Sequence, residues 1–206
     1  MSVLFNFVGN GIKIWLRSKC ESIKELDLQI FGSNNDFLKG EINKVYIKAK
    51  DVKYKNLPLS FVELNSGRIK FILNPVSIGN ALYIDKDFVY KGSISITSKD
   101  INDIFRSHNW AWLKNWFSKE VLHGDILEDI EIVDSIVEIS GKKASKSSKI
   151  KRKFCLYSEH GKLIIKSKDL GKEEAIIFPI DPLITIQDVI INRLELTFII
   201  SGVVRP

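Results

Sequence analysis

From Val45 the chain alternates, with Val45, Ile47 and Ala49 pointing one way and Lys44, Tyr46, Lys48 and Lys50 the other. A period of two predicts a strand with one apolar and one wet face. Asn56, Leu57 and Pro58 interrupt the pattern as a turn or sheet edge does. Phe61 to Leu64 resume it, Asn65-Ser66-Gly67 reads as a tight turn, and Ile69, Phe71 and Leu73 line the next strand. Beyond Asn74-Pro75 a looser run passes Leu82, Phe88 and Tyr90 to reach Ile94 and Ile96. Thr97 then takes the N-cap position ahead of Asp100, Ile101, Ile104 and Phe105, a capping-box pattern with Asp where Glu or Gln is usual. Residues 37–107 therefore predict central strands followed by a capped helix.

The flanking segments extend this plan. Val3 to Val8 is an apolar opening, and from Ile12 the spacing turns helical. Ile12, Trp15, Leu16 and Ile23 can share one face, with Lys13, Arg17, Glu21 and Lys24 on the other. Such a helix either packs on a sheet with its charges solvated, or lies on a bilayer with Trp15 at headgroup level and Arg17 reaching phosphates. Leu26 to Phe31 alternates toward Gly32, so residues 1–36 predict an N-terminal helix and a first strand. Ser107-His108-Asn109 breaks the capped helix, and a second helix is expected over Trp110–Leu122, within residues 108–123. It holds Trp110, Trp112 and Trp116, three of the four tryptophans. Trp112 and Trp116 fall on one helical face, and Leu113, Phe117 and Val121 on a neighbouring one. This face is either the lip of a lipid-binding groove or an aromatic core plug.

Residues 124–141 are acidic and predict two short strands, closing at Gly141. Asp125, Glu128 and Asp129 show neither the burial nor the close pairing that acid–base work requires. Within 154–206, Ser158 to Gly161 reads as a hairpin turn, Ala175 to Phe178 as a short strand, and Leu183–Ile191 with Leu194–Ile200 as a strand pair around Asn192-Arg193. The likeness between VDSIVEISG and INRLELTFIISG suggests paired hairpins in one curved sheet.

The net charge of +6 is unevenly spread: residues 61–140 carry eight basic and twelve acidic groups, residues 141–173 eleven and three. Residues 141–153 hold Lys142, Lys143, Lys146, Lys149, Lys151, Arg152 and Lys153 without an acid, and read as a solvated basic loop. Its field attracts the phosphates of an anionic membrane surface or of nucleic acid. An amphipathic helix plus a polybasic segment is the two-signal arrangement for stable peripheral attachment. A composition of 45% hydrophobic and 27% charged residues over 206 positions predicts a single globular domain, 1–206. Cys20 and Cys155 stand far apart, as small buried hydrophobes, and suit a reducing compartment. No apolar run approaches the ~20 residues of a membrane span, and the N-terminus lacks a secretory pattern. The expectation is a cytoplasmic protein, peripheral at a membrane. His108, His123 and His160 are scattered, so no metal site or cofactor is expected. No G-x-S-x-G, Walker or dinucleotide motif occurs, so an enzyme is not expected either.

The order of a Gly40-led strand, LPLSFVEL, the Gly67-Arg68-Ile69 turn into a strand, and ITSKDINDIFRS resembles the LmeA-type family of phospholipid-binding proteins. The likeness extends back to IKIWLRSKCESIKELDLQIFG and forward to the strand pair ending in Gly202, while 108–122 and 141–153 depart from it. The resemblance implies an α+β fold: a curved, mostly antiparallel β-sheet packed against two or three helices, enclosing a tubular lipid-binding (TULIP-like) groove. It implies phospholipid as partner, with acyl chains in the groove and anionic headgroups at a basic rim, and carries over no active-site residue. Candidate contacts with lipid or membrane are Trp15, Arg17, Trp110, Trp112, Trp116, Phe117, Lys142, Lys143, Lys149, Lys151 and Arg152. The alternatives are a nucleic-acid-binding module using 141–153, or a non-catalytic scaffold holding a protein partner on the tryptophan helix. Against nucleic acid, the aromatics lie apart from the lysines, and no RNP, KH or helix-turn-helix pattern occurs.

Overall fold

The structure, a computed structural model, describes residues 3–73, 82–145, 148–168, 175–192 and 194–206; the Asn74-Pro75 break, Lys146 and Arg193 lie outside them. The alternating run forms β3 (Lys44–Tyr54), flanked by β1 (Ser22–Phe31) and β4 (Leu57–Ser66), both antiparallel to it. With β7 (Phe88–Thr97), β13 (Ile184–Asn192) and β14 (Glu195–Val204) they make a six-stranded sheet in the order β1-β3-β4-β7-β14-β13. One cross-strand row runs through Leu26, Ala49, Val62, Ile94 and Phe198, so the separate alternations add up to one continuous apolar face.

A second sheet holds β8 (Ile126–Val133), β9 (Ile136–Lys142), β10 (Lys149–Glu159), β11 (Lys162–Ser167) and β12 (Ala175–Ile177), in the order β12-β11-β10-β9-β8. A third, small sheet joins β2 (Glu41–Ile42), β5 (Ile69–Leu73) and β6 (Leu82–Ile84). Among the described residues every pairing is antiparallel, and with its few helices the fold is α+β. The two similar hairpins, β8–β9 and β13–β14, lie in different sheets rather than in one. Nor does the Gly67 turn fold β5 back on β4. The Gly67 N–H donates to the Val89 carbonyl at 2.7 Å, continuing the β4–β7 ladder, and β5 leaves to pair with β2.

Helix α1 spans Val3–Lys19, starting earlier than the spacing predicts and stopping before Ile23, which belongs to β1. Val8, Ile12 and Leu16 pack on a cluster of Leu28, Phe37, Ile42, Val45 and Phe71. Capping boxes start both α2 (Asn34–Leu38, from Ser33 and Asp36) and α3 (Ser98–Arg106, from Thr97 and Asp100). At α3 the Asp100 N–H donates to Thr97 Oγ1 at 3.2 Å and the Thr97 N–H to Asp100 Oδ2 at 3.0 Å. The shorter Asp thus serves where Glu is usual. The Asn102 side chain then accepts from the Ile130 N–H at 3.0 Å and donates to the Ile130 carbonyl at 2.8 Å, while Ser98 Oγ accepts from the Ile132 N–H. These bonds seal the outer edge of β8, an edge that would otherwise invite another strand.

After α3 the chain makes a 3₁₀ turn (His108–Trp110), helix α4 (Ala111–Trp116) and a π turn (Phe117–Val121). Leu113, Phe117, Val121 and Leu122 enter the main core with Phe105, the inner face of the five-stranded sheet (Leu127, Ile130, Ile139, Phe154) and Leu196 of β14.

Candidate functional site

One end of the six-stranded sheet gathers the aromatic and basic side chains that the sequence scatters. β3 and β4 are joined by Lys55-Asn56, both left-handed (φ 50° and 59°), as a two-residue turn of matching twist requires. Helix α1 ends beside this turn. The Glu21 N–H donates to the Lys53 carbonyl at 2.8 Å, its carboxylate accepts from the Asn56 N–H at 2.7 Å, and Lys53 Nζ lies 3.4 Å away. The left-handed turn aims the Lys55 carbonyl outward, where it accepts the Trp110 indole N–H at 3.1 Å. Trp112 leans on Trp110, ring centroids 6.1 Å apart.

Three elements distant in sequence therefore converge, and their aromatic rings stay partly in water: Trp15 is 57% exposed, Trp112 50% and Tyr54 40%. Lysines lie over two of these rings, Lys55 Nζ 5.3 Å from Tyr54 and Lys19 Nζ 6.0 Å from Trp15. Arg17 donates to the Ile23 carbonyl at 3.1 Å, keeping its charge at the helix end. Burial, helped by the Glu21 charge, holds the Cys20 thiol above its ordinary pKa, so it stays protonated and a poor nucleophile.

Helix α1, which carries Trp15 and Arg17, ends at the same β3–β4 turn that Trp110 bonds, with Trp112 leaning on Trp110, whereas Trp116 and Phe117 turn away from it. Trp112 and Trp116 do not form one outward face: Trp116 stacks edge-on to Phe117 (5.2 Å) and Phe178 (5.3 Å), and Phe117 on Phe105 (5.1 Å). Phe178 and Phe105 supply an aromatic slot on that side of the helix, so Phe117 is a buried core residue and not part of an outward face.

The basic tract also differs from the loop predicted for it. Lys142 ends β9, and Lys149, Lys151, Arg152 and Lys153 lie on β10 in register with it, leaving a short connection in which Lys143 is exposed. Most of the charge is matched by the preceding acidic strands. Lys142 pairs with Glu128, Lys151 and Lys153 both pair with Glu138, and Arg152 Nη2 meets Asp125 Oδ2 at 2.7 Å. Asp125 further accepts from the Ala144 N–H at 3.3 Å, anchoring the connection. Lys143 and Lys149 make no ion pair among the described residues. The tract folds into strands because the acids it needs sit one and two strands away, which spacing along the chain does not reveal.

No family model matches this chain, and neither curated proteins nor solved structures give a match. The likeness to LmeA-type proteins thus rests on the sequence motifs quoted above. Among the described residues no helix is long and apolar enough to cross a membrane, and no group of side chains could hold a metal ion. A cavity of about 50 Å³ lies in the main core, lined by Ile101, Phe117, Ile130, Phe154, Leu196 and other apolar side chains. Tyr54, Lys55 and Glu21 escaped the sequence reading of the site. Their one signal is the break in alternation at Lys55-Asn56, which marks a turn but not what packs against it.

Proposed function

We propose that the protein binds phospholipid as a peripheral membrane protein, meeting an anionic bilayer through the aromatic end of its six-stranded sheet. The observation that carries this reading is that helix α1, with half-exposed Trp15, Arg17 and Lys19, ends at the β3–β4 turn to which Trp110 bonds, the turn that carries Lys55, with half-exposed Trp112 leaning on Trp110. Indoles gain most where an apolar body meets a polar boundary, and each basic group near an anionic surface contributes about 1 kcal/mol. The net charge of +6 acts in the same direction. The core cavity of about 50 Å³ is small beside the ~150 Å³ that accommodates one benzene. Acyl chains remain in the bilayer in this reading; the enclosed carrier groove implied by the LmeA likeness would need more room than this core cavity offers. Nucleic acid is the weaker alternative, because four of the tract's basic residues are already matched to carboxylates.

The test is tryptophan emission and co-sedimentation with vesicles of phosphatidylglycerol in phosphatidylcholine. Binding with a blue shift that is lost in a Trp15→Ala, Trp112→Ala double variant is the expected result. Unchanged emission at saturating anionic lipid and low salt would overturn the reading.

A further inference from the structure

The five-stranded sheet has an outer face whose side chains belong to none of the apolar clusters of the core. Strand register fixes its layout. Asp129, Ser140 and Lys151 form one cross-strand row, and Glu131, Glu138 and Lys153 the next. Acids thus lead on β8 and β9, where Lys142 at the end of β9 is held by Glu128, bases lead on β10, and Lys166 continues the basic side on β11 opposite Cys155. The middle of this ladder is internally matched, since Glu138 lies between Lys151 and Lys153. What is left over is segregated: Asp129 and Glu131 at one side, Lys149 and Lys166 at the other, none in an ion pair among the described residues. Three strand spacings, about 14 Å, separate β8 from Lys166 on β11 and two, about 10 Å, from Lys149 on β10, and neither lysine pairs with Asp129 or Glu131 within the molecule. Beyond the charged rows the same face turns apolar, with Val133 and Ile177 exposed.

We propose that this face is the contact surface of a symmetric homodimer, its occupant a second copy of the chain. A two-fold axis lying between the two faces and parallel to the strands lays the acidic side of one copy over the basic side of the other, twice, which is the self-complementarity an isologous contact demands. A uniformly anionic or cationic partner would satisfy one half and repel the other. Extension of the sheet through its β8 edge is blocked by Asn102 and Ser98, and β12 at the other edge is only three residues long, which leaves the face as the broad surface. Five strands at ~4.8 Å and about seven residues at ~3.4 Å give roughly 24 by 24 Å. That is on the order of 570 Å² per copy, below the ~800 Å² of a standard stable interface, so the dimer is weak and salt-sensitive.

Sedimentation velocity on the full chain tests this independently of lipid. The wild type at ~100 μM should sediment toward dimer at ~50 mM salt, its apparent Kd rising at least ~10-fold by ~500 mM. The variants Asp129→Lys/Glu131→Lys and Lys149→Glu/Lys166→Glu should each be monomeric, and their equimolar mixture should dimerise again, because both contacts become attractive once more. Circular dichroism confirms that each variant is folded. A wild type monomeric at low salt, variants that dimerise as the wild type does, or a mixture of folded variants that stays monomeric would overturn the proposal.

Discussion

Trp110 donates its indole N–H to the Lys55 carbonyl at 3.1 Å, tying the segment after α3 to a turn 55 residues earlier. Trp110 is thereby fixed at the sheet's end and Trp112 projects beyond it, while Trp116, on the same short helix, points into the core. The two neighbours should respond oppositely to truncation. Trp116→Ala removes a ring packed on Phe117 and Phe178 and should cost about 3 kcal/mol or more. Trp112→Ala forfeits chiefly the stack on Trp110, about 1 kcal/mol, yet should weaken vesicle binding. Urea unfolding and vesicle co-sedimentation on both variants check this; equal destabilisation by the two would mean that Trp112 is core.

Gly161 closes the β10–β11 hairpin with φ +76° beside left-handed His160, and a Cβ there would come within 2.8 Å of Thr185 Cγ2. Its carbonyl also accepts from the Ile186 N–H at 2.9 Å, linking the hairpin to β13. Gly161→Ala should therefore cost about 1–2 kcal/mol from left-handed strain, with a Thr185 shift added. Thermal unfolding measures it, and Thr185→Ser in the same background should recover the contact part but not the strain.

Legibility from sequence followed the range of the interaction concerned. The Val45–Ala49 alternation, the Thr97–Asp100 cap and the His160-Gly161 turn are governed by neighbours along the chain, and each takes its predicted form. Placement of β14 between β7 and β13 is a long-range choice with no local mark. So is the capture of Lys151 and Lys153 by Glu138, which turned an apparent polybasic loop into a neutralised ladder. At the candidate site Trp15 and Trp112 were visible as residues. That they share one end of a sheet depends on Glu21 and Lys55, whose roles exist only once β1, β3 and β4 are paired.

Thr97→Ala deletes the hydroxyl that accepts the Asp100 N–H and leaves Asp100 bonded to the Thr97 N–H position alone. Loss of such a cap costs about 1 kcal/mol, and for a chain of this size lowers Tm by about 2–4 °C. Thr97→Ser keeps the hydroxyl and should retain most of that stability. Because α3 also seals the β8 edge through Ser98 and Asn102, hydrogen exchange at the Ile130 and Ile132 amides should quicken in the Ala variant. Unchanged exchange there would separate the cap from the edge.

Glu138 is a nearly buried carboxylate, its side chain 8% exposed, set between Lys151 and Lys153 and directly across from Glu131. The hydrogen bond from Lys151, then that from Lys153, holds its pKa below the ordinary carboxylate value, and the same contact raises that of Lys151. For a depressed acid the stabilisation is complete above the unfolded-state value of ~4.3 and fades as pH falls through the folded value. For the raised lysine it is complete below ~10.4 and fades as pH climbs past it. The pair therefore contributes across a plateau between those limits. Glu138→Gln relieves the opposition of Glu131 but leaves two ammonium groups facing one neutral amide, so its Tm should fall below that of the wild type at neutral pH. The gap should narrow as pH falls through the lowered folded-state value of Glu138, and again as it rises through the raised value of Lys151, where the wild type loses the same charges. A gap independent of pH would show that packing around the side chain, not its charge, holds β9 to β10.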